Sequence, residues 1–327
     1  MKKRLLFALL AFAGVLAALP VPAGSIGALS LVPPDTSIVG FVRIADLRSN
    51  PFQLRLFEET DKISADGDGA RFLKEAGINL REDVDTVVAC TANDGSGHGR
   101  SLVMFEGRFD TSKLSAAVAK RGASKQSVPG GDYYRLKDNS NAGSTTHQPG
   151  AVAFLSSHLV VAGSESAVVA ALAARANGGT GFATGQGLGR EFHRVNPGST
   201  AWVLADMSRW RESRAASQGA EGPAAGVISA LRSLTLVTIE ATVEPDALAL
   251  KGTGLSPDEE TRELLEDALR GLTAAGRMAA QEKHPELVAA IRKFQISHDN
   301  EGVTISGSVP GDLIRQYTAE ARARSGK

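Results

Sequence analysis

Thr235-Leu236-Val237-Thr238-Ile239-Glu240-Ala241-Thr242-Val243, then Glu244-Pro245-Asp246-Ala247, then Leu248-Ala249-Leu250-Lys251-Gly252-Thr253-Gly254 is the stretch that sets the fold class. Two β-rich runs flank four residues with Pro where a type I turn favours it, so the segment predicts an antiparallel hairpin. The chain then enters Ser256-Pro257-Asp258-Glu259, which reads as a capping box, and a helix carrying Leu264, Leu265, Ala268, Leu269 and Leu272. A hairpin feeding an amphipathic helix is an α+β unit, in which a sheet with one apolar face is covered by the helix.

The same succession occurs earlier. Asp85 to Ala92 and Ser101 to Phe109 form a hairpin around the loop Asn93–Gly99, and Asp110 caps a helix with Leu114, Ala117 and Val118 on one face. A strand precedes each hairpin. Ile38 to Ile44 ends in Ile44-Ala45-Asp46-Leu47, and Ala201 to Leu204 ends in Leu204-Ala205-Asp206-Met207. A helical region follows each strand, starting in the first case at Asn50-Pro51-Phe52-Gln53. Each half then closes with another hairpin and a helix. These are Ala151–Leu155 with His158–Gly163 and Ser164 to Ala176, and Phe294–His298 with Val303–Val309 and Asp312 toward Arg324. A short additional strand is expected at Tyr133–Leu136.

The expected fold is therefore α+β with internal duplication. It comprises two similar halves, each an antiparallel sheet backed by helices in a ferredoxin-like β-α-β-β-α-β order, with an added hairpin and helix. Matching Ile38–Ile44 to Ala201–Leu204 predicts that Gly107 matches Gly254 and Gly163 matches Gly307. The halves are placed at 24–176 and 190–327, joined by a linker at 177–189 that holds six glycines in thirteen residues. Asp138–Gly150 and Arg214–Gly226 read as polar loops.

The first residues predict an address. Met1-Lys2-Lys3-Arg4 is a basic region, Leu5 to Leu19 is apolar and uncharged, and Val21-Pro22-Ala23 offers small or β-branched residues at a cleavage site. This pattern predicts a secretory signal peptide over residues 1–23, and an exported, periplasmic or extracellular protein. Fifteen apolar residues fall short of the roughly 20 that span a bilayer, so no membrane span is expected after cleavage.

Composition narrows the classes further. The chain balances 36 Lys+Arg against 36 Asp+Glu and has no basic run, which excludes a nucleic-acid binder that works by charge. A single cysteine, Cys90, excludes an intrachain disulfide, a zinc ribbon and an iron–sulfur site. Lying in Val87-Val88-Ala89-Cys90, it reads as a buried small hydrophobe.

The search for chemistry yields little. No two of the six histidines have the i, i+4 spacing of a helical zinc pair, and no HExxH, GxSxG or SxxK occurs. His158 and His298 each sit beside the turn of a closing hairpin, with no acidic residue at a recognisable spacing. Ser64, Asp66, Asp68 and Glu75 follow calcium-loop spacing, with Gly69 at the sixth position. Ser64 replaces the charged first ligand, and Arg71 stands where the motif wants an aliphatic residue. The plainer reading is a polar turn in which Asp68 caps a helix bearing Phe72 and Leu73. No catalytic residue and no cofactor are assigned.

Leu31-Val32-Pro33-Pro34-Asp35-Thr36, Ile44-Ala45-Asp46-Leu47-Arg48 with Asn50-Pro51-Phe52, and Ala76-Gly77-Ile78-Asn79-Leu80-Arg81-Glu82-Asp83-Val84 resemble a group of uncharacterised exported bacterial proteins. The resemblance implies export and a duplicated α+β body, and it brings no catalytic residue with it. A sizeable body without a catalytic constellation is expected to be a non-enzymatic interaction or ligand-binding module of the cell envelope. Its expected partner is a protein or a small ligand. The alternative is an envelope hydrolase whose site joins residues distant in sequence, such as a His with an Asp or Glu from the other half.

Overall fold

The structure is a computed structural model. It describes residues 26–48, 75–93, 99–137, 149–179, 182, 185–211, 233–281 and 284–316. These form two compact units that divide between Arg194 and Val195.

The N-terminal unit starts with helix α1 (Ile26–Leu29) and strand β1 (Thr36–Arg43), which runs into a 3-10 helix, Ile44–Arg48. Then follow α2 (Leu80–Asp83), β2 (Val84–Asn93), β3 (Gly99–Gly107), α3 (Thr111–Lys120), β4 (Ser124–Val128) and β5 (Gly131–Arg135). The unit ends with β6 (Gly150–Ser156), β7 (Leu159–Ser164), α4 (Glu165–Ala176) and a second 3-10 helix, Gly187–Arg194. Its strands lie in the order β1-β2-β3-β7-β6-β5-β4, antiparallel throughout.

This order corrects the ferredoxin-like expectation. A split β-α-β unit runs its two strands parallel with another between them. Here β1 and β2 are adjacent and antiparallel, with Val39 opposite Cys90 and Phe41 opposite Val88. The first three strands are thus successive antiparallel neighbours, a meander in strand order.

Period-two alternation builds the core. Phe41, Val88, Met104, Val161 and Ala153 lie opposite one another in a row across five strands, and all five are buried. Val39, Cys90, Leu102, Gly163 and Ala151 form the neighbouring row. Helix α4 packs against β3, β6 and β7, burying Ala167, Val168, Ala171 and Leu172. Asp110 caps α3 as its position in sequence suggests, accepting from the amides of Ser112 and Lys113 at 3.1 Å each. The strand expected near Tyr133–Leu136 is β5, and β4 pairs with it as a hairpin that sequence reading missed.

Residues 177–189, expected to be a linker, pack onto the N-terminal unit where they are described. Phe182 and Leu188 are buried, and Gly187 takes φ +55 with its α-carbon against the Pro34 carbonyl, where a side chain would stand 2.0 Å from that oxygen. Apolar residues between the glycines overrode composition.

The C-terminal unit comprises β8 (Ala201–Asp206), α5 (Met207–Arg211), β9 (Leu236–Val243), β10 (Ala247–Leu255), α6 (Glu259–Ala280), α7 (Pro285–Ile291), β11 (Gln295–His298) and β12 (Gly302–Pro310). Residues 311–316 are helical. The strand order is β8-β9-β10-β12-β11. One face gathers Val237, Gly254, Val303 and His298 in a row, with Ile239, Ile305 and Ile296 in the next. Leu234, Leu265 and Val303 form the buried cluster there, with Met207, Val237, Leu269 and Ile296 packed against it. The other face carries Thr253 and Thr304, whose hydroxyls meet at 3.2 Å.

Helix α6 begins later than the expected capping box. Asp258, not Ser256, is the N-cap, and its carboxylate accepts from the Thr261 amide at 2.8 Å. Aspartate is the better cap, and Pro257 disfavours helical geometry at the residue before it.

Sheet order is common to the two units as β1-β2-β3-β7-β6 and β8-β9-β10-β12-β11, the hairpin β4-β5 being extra in the first. One of the two glycine correspondences fails. Aligning Asp46 with Asp206 places Arg43 on Val203; through the bulged pairing of Val84 that match carries Gly107 to Gly254 as expected, but it carries Gly163 to Val309. Local crowding explains the unmatched glycines instead. A side chain at Gly163 would stand 2.1 Å from the Ser101 carbonyl oxygen, whereas Gly307 lies under the Phe294 ring, 2.6 Å from such an atom.

That crowding is testable. Gly163→Ala forces strands β3 and β7 apart and is expected to cost about 1–3 kcal/mol in urea unfolding. Equal midpoints for the two proteins would show the contact to be slack.

Candidate functional site

Helix α6 is the longest described helix, and its sequence makes it apolar on two sides. At 100° per residue, Leu265, Leu269, Thr273, Gly276 and Ala280 share one side. That side packs on α7, β11 and β12. Leu264, Ala268, Gly271, Leu272, Ala275, Met278 and Ala279 share the other. Leu264 is 60% exposed, Leu272 47% and Met278 69%. Among the described residues, Leu136 is the only other large apolar side chain so exposed. Sequence reading treated Leu264, Leu265, Ala268, Leu269 and Leu272 as one covering face. The structure splits them, because consecutive leucines cannot both point at one sheet. An apolar arc wider than half the helix was the signal available.

A polar cluster lies between the two sides. Glu266 is buried; its carboxylate meets Nδ1 of His298 at the β11 end and pairs with the Arg270 guanidinium. Arg262, 4% exposed, donates to the Ser256 carbonyl and to Glu259, both at 2.8 Å. Next to His298, the Asp299 carboxyl is held below the usual range by hydrogen bonds from the Glu301 and Gly302 amides. His298 thus has the acidic partner that sequence spacing hid, contributed by a helix 32 residues away. An imidazole oriented by a carboxylate is the base half of a catalytic pair. Among the described residues it donates to, or accepts from, no Ser, Thr or Cys side chain.

The remaining candidates resolve individually. His158 Nδ1 meets the Gly107 carbonyl at 2.9 Å, tying the β6-β7 turn to the end of β3. Glu75 pairs with Arg121 at 3.1 Å, while Ser64, Asp66 and Asp68 lie outside the described residues. No three His, Cys, Asp or Glu side chains among the described residues are placed to share a metal ion. Glu165 accepts from Tyr133 at 2.7 Å and from Arg135 at 2.6 Å. Burial works against its charge, but these donors outweigh burial and hold its pKa low.

Cys90 lines a cavity of about 10 Å³ with Thr36, Arg100 and Leu102, room for one water and nothing larger. Arg100 Nε is buried there without a hydrogen-bond partner among the described residues. Burial pushes the thiol up to about 12, and Thr36 offsets this only in part. Burial likewise raises the Glu106 pKa, against the 2.7 Å hydrogen bond it accepts from the Ala28 amide.

Among solved structures, crystal form III of TP0453 matches 88% of this chain and 96% of its own, at 9% identity and a TM-score of 0.51. Crystal form I of the same protein gives 0.49 at 9% identity, covering 89% of this chain and 96% of that one. At this identity the likeness is one of fold. No family model matches the chain, and no curated protein sequence matches it.

Two measurements check these environments. Iodoacetamide at pH 8 should leave Cys90 unmodified in the folded protein and label it after unfolding, because only the thiolate attacks. Labelling at the rate of a free thiol would mean that the site opens readily. Glu106→Gln keeps the acceptor for Ala28 and removes the buried charge. A folded pKa above the unfolded one makes the ionised form a liability at neutral pH that disappears as pH falls below the usual glutamate range. The variant should therefore melt higher at pH 7 and no differently at low pH. A lower melting temperature at pH 7 would contradict this.

Proposed function

We propose that this chain is an exported, non-enzymatic interaction protein of the bacterial cell envelope. The observation that supports it is the outward side of α6, where an exposed helix face carries leucine and methionine over about four turns with no charge in the stripe. Scattered exposed leucines need no explanation, but a contiguous stripe is the feature that partner-binding surfaces share. The N-terminal basic and apolar regions are the support for export. No described helix is long and apolar enough to cross a membrane.

The shared strand order of the two units supports a further reading, that they arose by duplication of one α+β module. Conservation of the order through five strands, despite a hairpin present in only one unit, is what a copied module would leave behind. A second functional reading, an envelope hydrolase, draws on the His298–Glu266 pair, a His and an acid 32 residues apart, although both come from the second half and not one from each. It still needs a nucleophile and a place for substrate, and the cavity beside Cys90 holds no more than a water.

The interaction reading predicts that the triple variant L264S/L272S/M278S, altered only at exposed positions, keeps the wild-type melting curve. A partner retained by the wild-type protein from envelope extract should be reduced at least about tenfold with the variant. Retention unchanged by the substitutions would remove α6 from the interface.

A further inference from the structure

We infer that the partner seated on α6 is a cationic amphipathic helix, an inference that rests on the interaction reading above and names its chemistry. The argument comes from which charges beside the stripe are already neutralised. Glu259 is paired with Arg262, and Glu266 with Arg270 and His298. The side chains of Glu260, Glu263 and Asp267 are exposed and make no ion pair or hydrogen bond with any described residue. Helical spacing puts Glu260 one turn before Leu264, and Asp267 one turn before Gly271, so these carboxylates follow one edge of the apolar stripe. The opposite edge is made by Leu272 and Thr261 and has no charge. Arg277 lies farther round, toward the buried side.

An occupant that fills the stripe must present apolar groups at 3.6-residue spacing. One that also satisfies the carboxylates must carry Lys or Arg along one flank. An amphipathic helix with a basic edge meets both conditions, laying its apolar face along α6. The small residues Ala268, Gly271 and Ala275 between Leu264 and Met278 leave room for a close approach of the two helices. The same acidic edge disfavours a lipid surface. Helices that lie on anionic membranes carry Lys and Arg beside the apolar face, the reverse of what α6 offers.

Isothermal titration of the purified protein with two synthetic 18-residue helices tests the assignment, one of Leu and Lys and one of Leu and Glu in the same amphipathic pattern. The Leu/Lys helix should bind and the Leu/Glu helix should bind at least about tenfold more weakly, with the difference shrinking as salt is raised. The triple reversal E260K/E263K/D267K should invert the preference, whereas L264S/L272S/M278S should weaken both helices. Equal affinity for the two helices, or Leu/Lys binding unaffected by the apolar substitutions, would overturn the inference. So would tighter binding to vesicles containing anionic lipid than to the Leu/Lys helix. If the apolar variant loses an envelope partner while charge reversal changes nothing, the interaction reading stands and this inference falls.

Discussion

Burial of the sheet face formed by Val237, Val303 and Ile296 under Leu265 and Leu269 is the contact on which the C-terminal unit depends. A fully buried leucine such as Leu265 contributes about 1.5–3 kcal/mol, and the half-buried Leu269 one turn later adds to it, enough to set the rotation of α6 about its axis. Once that rotation is set, Leu264, Leu272 and Met278 have nowhere to go but outward. The exposed stripe follows from satisfying the core with a helix that has too many apolar residues for one face.

Buried polar groups then fix details that apolar packing leaves loose. Glu266, paired within the helix to Arg270, ties His298 to α6, so the β11 end is anchored beside its middle. Glu240, buried in β9, accepts from the Asn196 amide at 2.8 Å and the Ser199 hydroxyl at 3.2 Å, and holds the entry to β8. In the N-terminal unit, Arg43 and Asp46 pair at 3.1 Å with both side chains almost fully enclosed, where strand β1 becomes the 3-10 helix. Removing one member of such a pair strands the other charge, which is why these positions constrain the turn more than neighbouring surface pairs do.

The likeness to TP0453 concerns how strands and helices are arranged, and fold alone does not assign activity. The functional case rests on this chain's own surface. A stripe that the core does not need, edged by carboxylates with no ion-pair partner among the described residues, is what the proposed partner would cover.

Much of the architecture was legible in the sequence because its signals are local. Hairpins at 84–107 and 236–255 follow from alternating β-rich runs around turns, and the Asp110 cap follows from a carboxylate at the head of an apolar helical pattern. Strand order was not legible. Whether β1 and β2 pair antiparallel or cross over depends on where the intervening chain packs, and no residue in either strand encodes it. The sequence likewise named the glycines without their reasons, since Gly163 answers to a carbonyl on β3 and Gly307 to a ring at Phe294. The candidate site was the least legible part. His298 and Glu266 meet only because β11 returns beside α6, and the outward stripe exists only because Leu265 won the inner face. Sequence by itself determined the elements and their apolar content. The tertiary structure decided which apolar residues were buried, because a helix can turn only one of its faces to a sheet.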